Sequence, residues 1–338
     1  MRTIDWNPKN NSIVMIDQTL LPEYKIIECT TLESLCEAIQ SLRIRGAPAL
    51  GAAGGFGIAL AAQKINAASL NQLMRRVKDA GEMIIATRPT AVNLSWGVHR
   101  VIKAMQNAND VKEARWLALE EAKAIADEDV KKNRQLGEHG VSLLEDGDTV
   151  LTHCNAGRLA CVDWGTALGI IRSGWEQGKK IRVIACETRP LNQGSRITTW
   201  ELMQDDIPVT LIADSMSGYV MRKGMVNKVI IGADRITRDA VFNKIGSYTL
   251  SVLAKHHGIP FYVAAPISTF DFEHLEHEVE IELRNPDELR YIGKHQIAPE
   301  DVDVYNPAFD ATPIENVSAI ITEKGILYPP FDNIRSSP

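Results

Sequence analysis

The chain has 338 residues, with 45% hydrophobic and 24% charged residues and a formal net charge of -6. That length suits two domains rather than one, and the composition is that of an ordinary globular protein. The acidic balance argues against nonspecific nucleic-acid binding, which needs a basic face, and the absence of a run of about 18 apolar residues argues against a membrane span.

The start, Met1-Arg2-Thr3-Ile4-Asp5-Trp6, lacks a charged segment followed by an apolar core, so no secretory signal is expected. Thr31-Leu32-Glu33-Ser34 opens an amphipathic stretch with Leu35, Ile39 and Leu42 on one side. Gly46-Ala47-Pro48 starts a Gly/Ala-rich helix, with proline where a first turn tolerates it. Helical patterns follow over 70–87, 93–106 and 111–139, the last long, charged and alanine-rich enough to link two domains. From about Asp148 the rhythm changes. Short β-branched runs at 149–152, 181–185, 209–212, 229–231, 261–264 and 319–322 alternate with helical segments, apart from a longer excursion over 272–312. Such runs, apolar without alternation, predict a parallel sheet covered on both faces. The expected fold class is α/β: a mainly helical N-terminal domain with a linker helix (1–140) and a C-terminal Rossmann-like, doubly wound parallel sheet (141–338). The tail 332–338 reads as loose.

Chemistry-bearing residues follow the strands. After 149–152 stands Thr152-His153-Cys154-Asn155-Ala156-Gly157, and after 181–185 stand Cys186-Glu187-Thr188-Arg189-Pro190 and Gln193-Gly194-Ser195-Arg196. Asp214 follows 209–212, while Gly232-Ala233-Asp234-Arg235 and then Asn243-Lys244 follow 229–231. Carboxyl ends of parallel strands gather at one mouth in an open α/β sheet. Cys154 at such an end points to chemistry rather than packing. Neighbouring strand residues face opposite sides, which makes His153 a poor base for it. Asp234, reached through small residues, is expected to be partly desolvated and so to carry protons near neutrality. Arg45-Gly46-Ala47-Pro48 places an arginine at a helix N-terminus, which favours an anion. Arg88, and Asn243-Lys244 beside Gly246, are further anion candidates, and together these suit one phosphate monoester.

Other signals read as structural. Gly51, Gly54, Gly55 and Gly57 do not spell GxGxxG and do not follow a strand, so they read as packing glycines rather than a nucleotide fingerprint. His274-Leu275-Glu276-His277-Glu278 lacks metalloprotease spacing and reads as a solvated face. The five cysteines, Cys29, Cys36, Cys154, Cys161 and Cys186, are odd in number and lack CxxC spacing. They fit neither a disulfide framework nor a zinc site, and point to reduced thiols in the cytoplasm. Cys161 and Cys186 read as small apolar filler.

The motifs Arg45-Gly46-Ala47-Pro48, Thr152-His153-Cys154-Asn155-Ala156-Gly157, Gly165-Thr166-Ala167-Leu168-Gly169, Glu187-Thr188-Arg189-Pro190 with Gln193-Gly194, Gly232-Ala233-Asp234-Arg235-Ile236 and Asn243-Lys244-Ile245-Gly246 together resemble the methylthioribose-1-phosphate isomerase family. That family shares its fold with the regulatory subunits of eukaryotic initiation factor 2B and with ribose-1,5-bisphosphate isomerase. The resemblance runs in order along nearly the whole chain. It implies conversion of an aldose 1-phosphate to a ketose 1-phosphate, with Cys154 and Asp234 handling protons. It implies phosphate binding by Arg45, the amides of Gly46 and Ala47, Arg88, Gln193 and Lys244, with Asn243 near the sugar hydroxyls and the helical domain closing over the other. It also implies a homodimer, and no metal, nucleotide or other cofactor.

The chain departs from that family's pattern at Arg158-Leu159-Ala160-Cys161-Val162-Asp163-Trp164, at Cys186 in place of an expected acid, and at Ser215-Met216-Ser217. These leave the C5 substituent open between methylthio and the methyl of 5-deoxyribose 1-phosphate. Ribose 1,5-bisphosphate, whose second phosphate wants additional cations, and a non-catalytic regulatory protein of the initiation-factor type are further alternatives.

Overall fold

The computed structural model describes residues 2–331, so the tail read as loose lies outside the described residues. Contacts divide the chain into two compact units, one of Met1–Asn133 with Gly157–Gly165, the other of Arg134–Ala156 with Thr166–Pro338. The division falls inside a helix rather than at the expected residue 140, and a short segment beyond Cys154 groups with the first unit.

The first unit opens with strands that the sequence reading did not expect: β1 (Ile4–Asn7), β2 (Ser12–Ile16) and β3 (Ile26–Cys29) form an antiparallel sheet in that order. In β1, Ile4 and Trp6 are buried while Asp5 and Asn7 are half-buried, the alternation of a strand with one covered face. Five helices follow: α1 (Leu32–Gln40), α2 (Ala47–Lys64), α3 (Leu70–Ala86), α4 (Val92–Met105) and α5 (Val111–Gly140). Thr31 caps α1 through its side chain, which accepts from the Ser34 amide. From Ala49 to Ala62 every residue of α2 is buried. A helix apolar on all sides belongs at the centre of a bundle, and its Phe56, Ile58 and Leu60 lie in one core with residues of β1, α3, α4 and α5.

The second unit carries β4 (Thr149–Thr152), α6 (Ala167–Glu176), β5 (Arg182–Cys186), α7 (Thr199–Gln204), β6 (Val209–Ile212), α8 (Ser217–Arg222) and β7 (Lys228–Ile231). Next come the short β8 (Arg235–Ile236), β9 (Ala240–Lys244), α9 (Ser247–His256) and β10 (Phe261–Ala264). The excursion over 272–312 holds a one-turn α10 (Asp287–Arg290), a hairpin of β11 (Tyr291–Ile292) and β12 (His295–Gln296), and most of β13 (Phe309–Pro313). The unit ends with β14 (Ala319–Thr322) and β15 (Gly325–Leu327).

The main sheet runs β15-β14-β10-β7-β4-β5-β6, parallel except for the edge strand β15. Chain order proceeds from β4 outward through β5 and β6, then returns to β7 and runs outward the other way through β10 and β14. The strand order therefore reverses between β4 and β7. Alternate residues feed two cores: Leu151, Ile184, Val229 and Val263 on one face, Val150, Val183, Ile230 and Ala264 on the other. Both faces are covered, which is why these strands read as continuous apolar runs. A second sheet, β13-β9-β8, is antiparallel and grows from the segment after β7.

Candidate active site

Strands β4 and β7 are neighbours, with Leu151 opposite Val229. Their carboxyl ends flank the point of reversal, where open α/β sheets bind ligands. Cys154 follows β4 and Asp234 follows β7, so the two residues read from sequence as chemical lie on the two loops bordering that crevice.

Cys154 is half-buried and sits in the left-handed region, at φ 61°. Its amide donates to Thr188 Oγ1 at 2.9 Å, and its carbonyl accepts from Thr198 Oγ1 at 2.6 Å. Asn155 is buried and donates through Nδ2 to Thr198 Oγ1 at 3.1 Å and to Glu201 Oε1 at 3.0 Å. Arg172 Nε donates at 2.8 Å to Asp205, and its guanidinium lies 3.4 Å from Glu201 Oε2. Thus β4, the segment before α7, α7 and α6 hold the backbone that presents the thiol. A residue at positive φ costs of order 1–3 kcal/mol and persists where its surroundings over-determine it.

The loop after β5 is the second wall. Thr188 is fully buried, and its hydroxyl donates to Cys186 O at 3.1 Å while accepting from Cys154. Asp214, after β6, accepts from the Thr188 amide at 2.8 Å and from the Arg189 amide at 2.7 Å. At Gly194 any Cβ would fall 1.7 Å from Cys186 O, so only glycine lets the chain fold back onto the end of β5. Gln193, just before it, is buried, and its Oε1 has no hydrogen-bond partner among the described residues. An orphaned acceptor at a ligand crevice suits a hydroxyl donor. Cys186 is the last residue of β5 rather than part of the following loop, one position later than the strand expected at 181–185.

Asp234 is exposed, and its backbone N–H donates to Phe242 O at 2.9 Å. It lies between β7 and the short strand β8. Asn243 and Lys244 were read as a loop beside Gly246, yet they end β9 and are buried. Asn243 Nδ2 donates to Ser247 Oγ at 3.1 Å; Lys244 Nζ donates to Ala308 O at 2.9 Å and stands 4.9 Å from the centre of the Phe309 ring. Beside them Asp310 of β13 accepts from the Gly246 and Tyr248 amides at the start of α9. Burial pushes its carboxyl up to about 6, against the opposing pull of those amides and of Lys244.

In the first unit, Gly46 caps α2 at φ 95°, and a Cβ there would meet Ala160 O at 2.3 Å. Ala47 and Pro48 form the first turn of α2, whose leading N–H groups lack partners within the helix. Arg45 and Arg88 are both half-buried, the latter just beyond α3. The segment 157–165 is anchored within this unit: Val162 N–H donates to Asp129 Oδ2 at 2.7 Å and Gln18 Nε2 to Leu159 O at 2.8 Å.

Thr188, Thr198 and Asp310 were missed as contributors from sequence. Thr188 stood inside a quoted motif, but only the folded chain shows its hydroxyl under the Cys154 amide. Among the described residues, the groups with metal-ligand potential are His153, Cys186 and Asp214, whose donor atoms lie within 4.8 Å of one another. The 274–278 cluster reads as the solvated surface expected, with His274 exposed and paired to Asp271.

The sequence and the fold have close counterparts. A Methanosarcina acetivorans protein named "Putative methylthioribose-1-phosphate isomerase" is 68% identical over 98% of this chain and 95% of its own. The crystal structure of 5-methylthioribose 1-phosphate isomerase from Pyrococcus horikoshii superposes with a TM-score of 0.93 at 42% identity, covering 99% of this chain and 94% of that one. A structure from A. fulgidus described as translation initiation factor eIF-2B, subunit delta, superposes with a TM-score of 0.91 at 60% identity, covering 98% and 97%. Residues 43–329 match the Initiation factor 2 subunit family, and the chain belongs to that family.

Proposed function

We propose that this chain is an aldose–ketose isomerase that converts S-methyl-5-thioribose 1-phosphate to S-methyl-5-thioribulose 1-phosphate. The observation that carries the reading is the position of Cys154 and Asp234 on the two loops that flank the point of strand reversal. The names borne by the Methanosarcina and Pyrococcus relatives support the methylthio substrate over 5-deoxyribose 1-phosphate.

Anomeric phosphate blocks the free aldehyde that an ordinary sugar isomerase starts from. Asp234 donates a proton to the ring oxygen as the C1–O bond opens. In the enediol course Cys154 takes the C2 proton and a proton returns to C1, while the C2 hydroxyl loses its proton to become the ketone. In the hydride course hydrogen moves from C2 to C1 with its electron pair, and the two residues handle only oxygen-bound protons. Both courses conserve atoms and electrons and need no external oxidant. Asp234 is solvent-exposed in this structure. Its proton transfer becomes selective when substrate displaces that water. Arg45, the Gly46 and Ala47 amides, Arg88, Gln193 and Lys244 take the phosphate, and Asn243 a sugar hydroxyl. The α2 N-terminus adds the favourable end of its dipole. The Gln193 orphan acceptor suits a substrate hydroxyl better than a phosphate oxygen, which also lacks a donor when ionised.

A homodimer completes the reading. Edge strand β6 ends the sheet unpaired among the described residues, with Leu211 exposed on it. Sedimentation of the purified chain tests this.

The second reading, a non-catalytic regulatory subunit, is favoured by the description of the A. fulgidus structure. Purified protein assayed with methylthioribose 1-phosphate and 5-deoxyribose 1-phosphate separates the two. Turnover of the first, lost in Cys154→Ser, is expected; absence of turnover with both, or full activity in the variant, overturns the catalytic reading. Running the reaction in D2O adds the mechanism: deuterium at C1 of the product marks the enediol course.

A further inference from the structure

His153 lies next to Cys154 in sequence, but it turns into the protein and is 3% exposed. Its Nε2 is 2.9 Å from Ile245 O. That contact assigns the ring proton to Nε2 and leaves Nδ1 a bare acceptor. Nδ1 is buried and has no hydrogen-bond partner among the described residues. It faces the Cys186 thiol and the Asp214 carboxylate, with Asp214 Oδ1 at 3.9 Å, too long for a hydrogen bond. A buried acceptor without a donor costs free energy and calls for an electron-poor occupant. Protonation of Nδ1 is opposed by burial, which holds this imidazole below its ordinary range, and by the charge of Lys244, although Asp214 favours it. Cys186 is also the position where the family resemblance led us to expect an acid.

We propose that His153 Nδ1, Cys186 Sγ and one oxygen of Asp214 form a binding site for a single zinc-like divalent cation, separate from the Cys154–Asp234 pair. One imidazole, one thiolate and one carboxylate make a donor set for a borderline-soft metal rather than for magnesium or calcium. The three donor atoms lie within 4.8 Å of one another. Around tetrahedral zinc such atoms stand about 3.4 Å apart, so binding draws them together by roughly an ångström. The Asp214 side chain is 34% exposed, which gives the ion a route in and a water for its fourth position. Each oxygen of Asp214 already accepts one amide and keeps a second lone pair for the metal.

Binding releases one proton: the Cys186 S–H bond breaks, its proton goes to solvent, and the sulfur electron pair bonds the metal. Burial, with the charges of Asp214 and Glu187, pushes the unbound thiol up to about 12. A dication reverses that balance. The same Asp214 holds the Thr188 and Arg189 amides, and Thr188 holds Cys154. A bound ion therefore stiffens the loop that presents the catalytic thiol.

Chelator-treated full-length protein titrated with Co2+, followed by Zn2+, tests the site. One equivalent of Co2+ is expected to give a thiolate-to-cobalt charge-transfer band and intense visible bands of a four-coordinate ion, all displaced by Zn2+. The charge-transfer band should vanish in Cys186→Ser, with binding weakened at least about tenfold, and persist in Cys154→Ser. His153→Gln should weaken binding while leaving the thiol present, and circular dichroism confirms that each variant is folded. Absence of stoichiometric binding by the wild-type protein overturns the proposal. So does a charge-transfer band that survives Cys186→Ser, or one lost in Cys154→Ser, which would move the ion to the catalytic thiol.

Discussion

Three residues other than glycine in the loops after β4 and β5 adopt positive φ: Cys154, Thr188 and Asn192. For Cys154 the restraint is visible, with a hydroxyl on each side of its peptide unit. Thr188→Val keeps the shape and removes the acceptor beneath the Cys154 amide. Loss of one buried hydrogen bond is worth about 1–2 kcal/mol, so kcat should fall about 5–30-fold with KM little changed, and Thr188→Ser should recover most of it. Steady-state kinetics of the two variants checks this; full activity in Thr188→Val with loss in Thr188→Ser would mean that the methyl group, not the hydroxyl, matters. Asp234→Asn removes a proton carrier without removing charge complementary to phosphate. A fall in kcat of about 100-fold or more, with KM nearly constant, is expected, and a preserved kcat with raised KM would remove Asp234 from the chemistry.

At the scale of elements, the loops following β4, β5 and β7 carry the residues proposed for the chemistry, and the strands behind them set their spacing. The segment from Glu187 to Gly194 is pinned at one end by Asp214 and at the other by the close approach of Gly194 to Cys186 O. Gly194→Ala must push that segment off β5. Overpacking of this kind costs about 1–3 kcal/mol, so a lowered melting temperature together with a lowered kcat is expected; calorimetry and a rate assay on one preparation check both. The strands at 149–152 and 261–264 were legible because they are short, largely buried runs of apolar and β-branched or aromatic residues, and the edge strand at 209–212 because of its run Val-Thr-Leu-Ile. Strands β1 to β3 and the β8–β9–β13 sheet were not. They are short, and antiparallel pairing draws its stability from partners distant in sequence; β9 meets β13 across more than sixty residues. Asn243 and Lys244 were consequently placed in a loop, though they close a buried strand.

Over the whole molecule, two half-buried carboxylates, one in each unit, lead the response to pH. Burial raises Asp129 to about 7 and Asp310 to about 6, from an ordinary value of 3.8. Each folded unit then binds more protons than its unfolded chain between those limits, so stability falls as pH rises from about 4 through about 7. Asp17, Glu37, Glu128 and Asp271 are held below their ordinary values and act the other way at more acid pH, and buried His153, held below its ordinary range, offsets part of the trend below about 6.5. Thermal unfolding should therefore occur at a higher temperature at pH 5.5 than at pH 8. The difference should shrink in Asp129→Asn, whose side chain keeps an acceptor for the Val162 amide. A variant with the full wild-type pH dependence would show that Asp129 does not titrate in this range.

Much about this protein is local and was therefore decided by the sequence alone. The parallel, doubly covered sheet follows from uninterrupted β-branched runs. The helix starting at Ala47 follows from the Gly-Ala-Pro punctuation before it. The candidacy of Cys154 and Asp234 follows from polar residues placed directly after buried strands. Tertiary structure decided what depends on groups far apart in the chain: the exposure of Asp234, the Thr188 hydroxyl beneath Cys154, the assignment of Gly157–Gly165 to the first unit, and the meeting of His153 with Cys186 and Asp214. Periodicity reports which face of an element meets the core. It carries no record of which distant side chain completes a hydrogen bond or leaves one open, and in this protein those completions set the geometry of the site.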